Sequence, residues 1–225
     1  MNSSNEEERL LPASSYRNSE KAKRIRRMGH RAYVGGGAPE MWYGIGRLQY
    51  HFLVTQGLRH HHDFLDVACG SLRLGQYLIP FLDRGRYFGQ EAEQELVKLG
   101  LEYEFEPTVI KIKQPRFGYG YEFDYSFCPG FDYAMAQSLF THFNASDIRM
   151  CLSALSKYAK KESRLYFTFL RGVSTTHAKA ESDPHKRFEY SFEEIEELAG
   201  EHWTLRDIGH WNHPRGQQMV EARPC

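Results

Sequence analysis

Apolar and polar positions along this chain follow two periods in turn. Met41, Ile45, Leu48, Phe52 and Leu53 recur at helical spacing and predict a helix over about 40–57. From residue 64 onward, short apolar runs bounded by turn residues alternate with helical stretches. The runs predict strands at Phe64–Ala68, Arg86–Gly89, Thr108–Lys113, Phe131–Ala136 and Arg164–Leu170. The third rests on the alternation of Val109 and Lys111. Helices are predicted from about Leu72 to near Pro80, over 92–102 and over 145–158, the last capped by Asn144 or Ser146. Ser191 opens a further helix, with Glu193 and Glu194 in its first turn and Gly200 at its end. Two strands, about 203–211 and 217–223, follow, joined by Asn212-His213-Pro214-Arg215-Gly216. Alternating strand and helix predicts an α/β, doubly wound fold. Its seven-stranded sheet should be mainly parallel, covered on both faces and closed by an antiparallel C-terminal hairpin.

The stretch before this core reads differently. Residues 1–20 are polar and rich in Ser, Asn and Glu, a composition that favours disorder. Residues 21–32 carry Lys21, Lys23, Arg24, Arg26, Arg27 and Arg31. This run suits either an arm for an anionic partner or a solvated helix flank. Its shortness and the acidic stretch before it favour the flank. Tyr33-Val34-Gly35-Gly36-Gly37-Ala38-Pro39 reads as a turn or hinge. The expected organisation is an extension over 1–30 and one domain over 31–225. Within that domain, residues 31–60 form a helical cap and 61–225 the core.

Composition narrows the function classes. Lys+Arg and Asp+Glu number 29 each among 225 residues, so overall charge points to neither nucleic acid nor a membrane surface. No apolar run approaches membrane-spanning length, and the acidic N-terminus is unlike a signal peptide. Cys69, Cys128, Cys151 and Cys225 form no CxxC pair, which argues against a zinc or redox site and for a reducing, cytoplasmic setting. His60-His61-His62-Asp63 offers ligand types for a metal. Neighbours in one loop rarely converge on one ion, so no metal is expected.

Candidate chemistry begins at Asp66-Val67-Ala68-Cys69-Gly70-Ser71-Leu72-Arg73-Leu74-Gly75. An apolar strand ends in an acid and a small-residue turn, where open α/β sheets bind ligands and backbone can approach them closely. Glu91 ends the second strand and can accept both hydroxyls of a ribose. A dinucleotide-binding dehydrogenase shares that logic but needs G-x-G-x-x-G, and here Ala68, Gly70 and Arg73 hold those positions. Phe131-Asp132-Tyr133-Ala134-Met135-Ala136-Gln137-Ser138-Leu139-Phe140-Thr141-His142 supplies a third motif, an apolar strand leading into a Ser-x-Phe-x-His turn. In order and spacing the three resemble the motifs of class I, Rossmann-like S-adenosylmethionine-dependent methyltransferases of the small-molecule type, from about residue 60 onward. The departure is Ala68, which stands where the family has its first glycine. Alanine is acceptable there on a negative φ.

The resemblance implies an enzyme with S-adenosylmethionine as cofactor. Asp66, Ala68, Gly70, Glu91, Asp124 and Gln137 are its expected contacts. The acceptor is expected to be a small molecule, methylated at a hydroxyl or carboxylate oxygen. A hydroxyl needs a base and a carboxylate does not. His142 and His213 are the candidate bases. Arg171 and Arg215 suit an anionic acceptor, and Trp42 and Tyr43 could line its pocket. For each a structural role is open: turn hydrogen bonding for the histidines, surface ion pairs for the arginines, core packing for Trp42. An RNA or protein methyltransferase and a catalytically inactive cofactor-binding protein stand as alternatives.

Overall fold

The computed structural model describes residues 13–173, 181–183 and 186–225. Residues 1–12, part of the expected disordered extension, lie outside the described residues. Residues 13–28, assigned to that extension by composition, form helix α1 (Ala13–Met28), followed by α2 (His30–Tyr33). The helix is held by tertiary contacts that composition cannot show. Ile25 is fully buried, and the basic residues meet acids of α5 (Gln94–Glu104) and its N-cap. Lys21 pairs with Glu93 and Arg26 with Glu95, while Arg31 pairs with Glu104. The hinge then leads into a π-helical turn (Glu40–Gly44) and α3 (Ile45–Thr55).

Eight strands follow: β1 (Phe64–Val67), β2 (Tyr87–Glu91), β3 (Arg116–Tyr119), β4 (Phe131–Ala136), β5 (Ala159–Arg171), β6 (Glu189–Tyr190), β7 (Trp203–His210) and β8 (Gln218–Pro224). Seven of them run in the order β3-β2-β1-β4-β5-β8-β7, and the two-residue β6 pairs with β5 beside that path. β1 to β5 pair in parallel, and β8 runs antiparallel to both β5 and β7. The doubly wound sheet with its antiparallel hairpin is the expected one; β6 is an addition to it.

The third strand is displaced from its expected position. Residues 107–113 form helix α6 (Pro107–Lys113), and the strand comes after it. Pro107 stands in the first turn of this helix, where its fixed φ suits helical backbone and its missing N–H costs nothing. The apolar residues Val109 and Ile110 pack under α4 (Gly75–Phe81) as neighbours on a helix face. The cap of α7 (Ala145–Ser156) is Asn144, whose side chain accepts from the Asp147 amide. α8 (Phe192–Ala199) opens on a complete capping box of Ser191 and Glu194.

Side chains alternate across the sheet with period two and sort into two apolar layers. Leu65, Val67, Phe88, Ala134, Leu165, Phe167 and Val220 face α7 and α8. Phe64, Tyr87, Tyr133, Met135, Tyr166 and Met219 face α3, α4 and α5. This double burial fixes the strands, so that the carboxyl ends of β1, β2 and β4 open together on one crevice.

Candidate cofactor and acceptor site

The turn after β1 is built from unusual backbone. Ala68, Gly70 and Leu72 have φ of 55°, 55° and 65°. Alanine at the first glycine position therefore adopts the left-handed conformation, contrary to the negative φ expected for it, at a cost of roughly 1–2 kcal/mol. Ser138, just after β4 (φ 64°), and Asn212, just after β7 (φ 66°), share that conformation. Left-handed non-glycine residues thus follow three strands on this edge; Gln114, before β3, and Phe123, after it, share the conformation.

Two buried acids flank the turn. Asp66 accepts a hydrogen bond from the Tyr87 hydroxyl at 2.7 Å, and burial, reinforced by the charge of Glu91, lifts its carboxyl to about 7. Glu91, the last residue of β2, accepts from the Gly70 amide at 2.8 Å and from the Glu93 amide at 3.0 Å. Burial raises its pKa, and these two amides oppose the rise. Each carboxylate oxygen retains a lone pair for a further donor. Val34 packs on the turn, since a Cβ added to Gly70 would lie 3.4 Å from its Cγ1. A cleft of about 1480 Å³ opens beside the ends of β2 and β3, lined by Lys21, Glu93, Tyr119 and Tyr121 among others. Asp124 is exposed and closes its own turn onto the Ser126 amide at 2.9 Å. No contact between described residues joins it to Gly70 or Glu91.

A polar network fills the crevice beyond β4. The Gln137 side chain lies 3.1 Å from His213 Nε2 and donates to Gln217 Oε1 at 2.9 Å. Gln49 on α3 donates to Gln137 Oε1 at 3.1 Å. Gln217 is held in turn by Thr168 and Ser138. His213 is buried and stacked on Trp211, with ring centroids 5.4 Å apart. Burial, then the charges of Arg73 and Arg215, depress its pKa to about 4, so the ring is neutral. The Arg215 amide approaches Nδ1 at 3.3 Å. A neutral imidazole has one acceptor nitrogen, so Gln137 and the Arg215 amide compete for it. Two fully buried polar atoms on the adjoining helical segment, Trp42 Nε1 and Gln49 Oε1, have no partner among the described residues. Unmet groups of this kind cost about 1–3 kcal/mol each.

The other expected site residues are placed as follows. Trp42 is fully buried, edge-on to His30 and under the guanidiniums of Arg31 and Arg73, whereas Tyr43 is exposed. Arg171 is engaged with Asp207 and stacks on Phe169 and Phe192. The His142 Nδ1 lies 2.7 Å from the Lys186 carbonyl oxygen. Among the described residues no group of three or more His, Cys, Asp or Glu side chains is arranged to hold a metal, the His60–Asp63 run included. The structure adds Arg73, Gln49 and Thr168 to the site. Arg73 stands inside the first motif, and the helical pattern already placed Gln49 one residue from Leu48.

No known protein-family profile matches the chain, and no curated protein matches it either. Solved structures do. Magnesium protoporphyrin IX methyltransferase from Synechocystis PCC 6803, with bound S-adenosylhomocysteine, is 16% identical with a TM-score of 0.64; the match covers 94% of this chain and 97% of that one. The DhpI–S-adenosylhomocysteine complex is 16% identical at a TM-score of 0.65, covering 92% and 96%. The glycopeptide N-methyltransferase MtfA is 12% identical at 0.61, covering 80% and 90%. The fold is that of the class I S-adenosylmethionine-dependent methyltransferases.

Proposed function

We propose that this protein is an S-adenosylmethionine-dependent methyltransferase acting on an oxygen of a small-molecule acceptor. One observation carries the reading: the left-handed turn after β1 is tied through the Gly70 amide to a buried carboxylate, Glu91, at the end of β2. In this reading Asp66, Ala68, Gly70, Glu91 and Gln137 hold the cofactor. Asp124, exposed and bonded to the Ser126 amide through one oxygen, keeps acceptor capacity for the adenine side of the ligand. When bound, the cofactor supplies an activated methyl group on a sulfonium.

The chain's own residues then have defined tasks. Glu91 accepts hydrogen bonds from ribose hydroxyls. The turn brings backbone close to the ligand. Helix α3, Trp42 and the hinge exclude water from the crevice. A carboxylate acceptor forms its new C–O bond without losing a proton. A hydroxyl acceptor must release one, and His213 is its proposed receiver, with His142 the second candidate. With a pKa of about 4 His213 is always available but weakly basic. The basic run weakens the case for RNA as acceptor, since Lys21, Lys23, Arg26 and Arg31 are already paired with acids and only Arg24 and Arg27 of the run make no ion pair among the described residues. Among the described residues no helix is long and apolar enough to cross a membrane, and the four free cysteines support a cytoplasmic setting.

Calorimetry with S-adenosylhomocysteine tests this reading. Glu91→Gln should weaken binding at least about tenfold, as loss of a charged acceptor does. Wild-type protein that binds none, or a variant within twofold of wild type, would overturn it.

A further inference from the structure

The methyltransferase reading says nothing of the acceptor's charge, but three arginines do. Arg73, half-buried in the turn before α4, donates to the Val34 carbonyl at 3.1 Å and to the Met41 carbonyl at 3.3 Å. Arg215, in the loop between β7 and β8, donates to the Gly35 carbonyl at 2.6 Å. The two guanidiniums thus hang from consecutive carbonyls of the hinge. The charge of Arg215 acts on Arg73, both act on the ring of His213, and the charge of Arg187 acts on Arg215.

No carboxylate among the described residues lies within 4 Å of Arg73, Arg187 or Arg215. Elsewhere the fold does pair its arginines: Arg31 with Glu104, Arg86 with Asp63, Arg206 with Glu221. His213 and the glutamines supply no anion, and the one carboxyl that acts on Arg73, that of Asp66, makes no ion pair with it and is lifted to about 7 by burial. Carbonyl dipoles orient guanidiniums without neutralising them, and gathering like charges at a partly desolvated wall is unfavourable until an anion joins them. Guanidiniums also present paired N–H groups that match an oxyanion.

We infer that the acceptor carries a carboxylate or phosphate group, and that this group docks between Arg73 and Arg215. The inference rests on the methyltransferase reading for the word acceptor; the oxyanion site itself does not need it. A bound anion offsets the two charges that press on His213, so the ring becomes more basic when the acceptor is seated. The anchor and the base are thereby coupled.

The test uses benzoate and phenyl phosphate against the neutral benzamide, at fixed ionic strength, with and without saturating S-adenosylhomocysteine. Binding is read by calorimetry, and the His213 ring is followed by NMR. Wild type should prefer the anions by about tenfold or more, as charge-assisted pairing with arginine implies. Their binding should move the His213 pKa up from about 4 toward its ordinary value. Arg187→Gln/Arg215→Gln should abolish the preference and leave S-adenosylhomocysteine affinity within twofold. Arg215→Lys should retain part of it. Equal binding of benzoate and benzamide would overturn the inference. So would a tenfold loss of S-adenosylhomocysteine affinity in Arg187→Gln/Arg215→Gln, which would assign the arginines to the cofactor's own carboxylate. Wild type that prefers the anions without binding S-adenosylhomocysteine would sink the methyltransferase reading and keep the oxyanion site.

Discussion

Ala68 holds a conformation that suits glycine. Replacing it with glycine removes a left-handed penalty of roughly 1–2 kcal/mol but frees the unfolded chain by about 0.4–1 kcal/mol. Ala68→Gly should therefore stabilise the protein by about 0.5–1 kcal/mol, seen as a higher denaturation midpoint at unchanged slope. A lower midpoint would show that the turn bears no strain. Asp66 makes a second prediction. Its pKa rises from 3.8 to about 7 on folding, so between these values the folded chain keeps a proton that the unfolded chain has lost. Stability from this group is then greatest below about pH 4 and declines as pH rises toward 7, by at most ~1.4 kcal/mol per pH unit. Thermal melts at pH 5 and pH 8 should differ less in Asp66→Asn than in wild type; equal differences would refute the linkage. The sequence pattern located Asp66 and Glu91 on strands and Gly70 in the turn after β1, because strand ends and small turns are local signals. It could not identify the sign of φ at Ala68, which is imposed by the path from β1 into α4. Nor could it pair His213 with Gln137, 76 residues away.

At the scale of elements, helices α1 and α2 dock on α5 through ion pairs of unequal depth. Arg26 and Glu95 meet near solvent, with 60% and 15% of their side chains exposed, and salt screens such a pair. Glu104 is only 3% exposed, beneath Arg31. Arg31→Ala would leave that carboxylate buried with, among the described residues, only the His30 ring as an ion-pair partner, at 3.5 Å. The substitution should cost about 1–2 kcal/mol, the penalty for stranding a buried acceptor, and should speed proteolysis before residue 30. Arg26→Ala should do neither; equal proteolysis of the two variants would refute the ranking. The misplaced third strand teaches a related lesson. Ile110, Lys111, Ile112 and Lys113 alternate apolar and polar as in a strand, but a proline in the first turn and packing against α4 make the segment a helix. Local alternation over so few residues is weak beside tertiary burial. Strands β1, β2 and β4 were legible because each is buried on both faces and carries a short, mainly apolar run bounded by turn residues.

For the molecule as a whole, the candidate site draws on distant parts of the chain. Arg215 reaches Gly35 across 180 positions, and Gln137 links α3 to the loop before β8. β8 enters the sheet between β5 and β7, although it follows both in the chain. During synthesis β5 therefore waits with one edge unpaired while β7 emerges, and β7 cannot take that edge without excluding the strand that belongs there. The waiting edge runs through Leu165, Tyr166, Phe167 and Phe169. An apolar strand with open hydrogen-bonding groups is a template for pairing with other chains. Refolding should thus compete with association, and the recovered yield should fall as protein concentration rises during dilution from denaturant. A concentration-independent yield would mean that the edge is covered early. The hairpin that carries His213 and Arg215 into the crevice would then also act as the step that ends the chain's exposure to its neighbours.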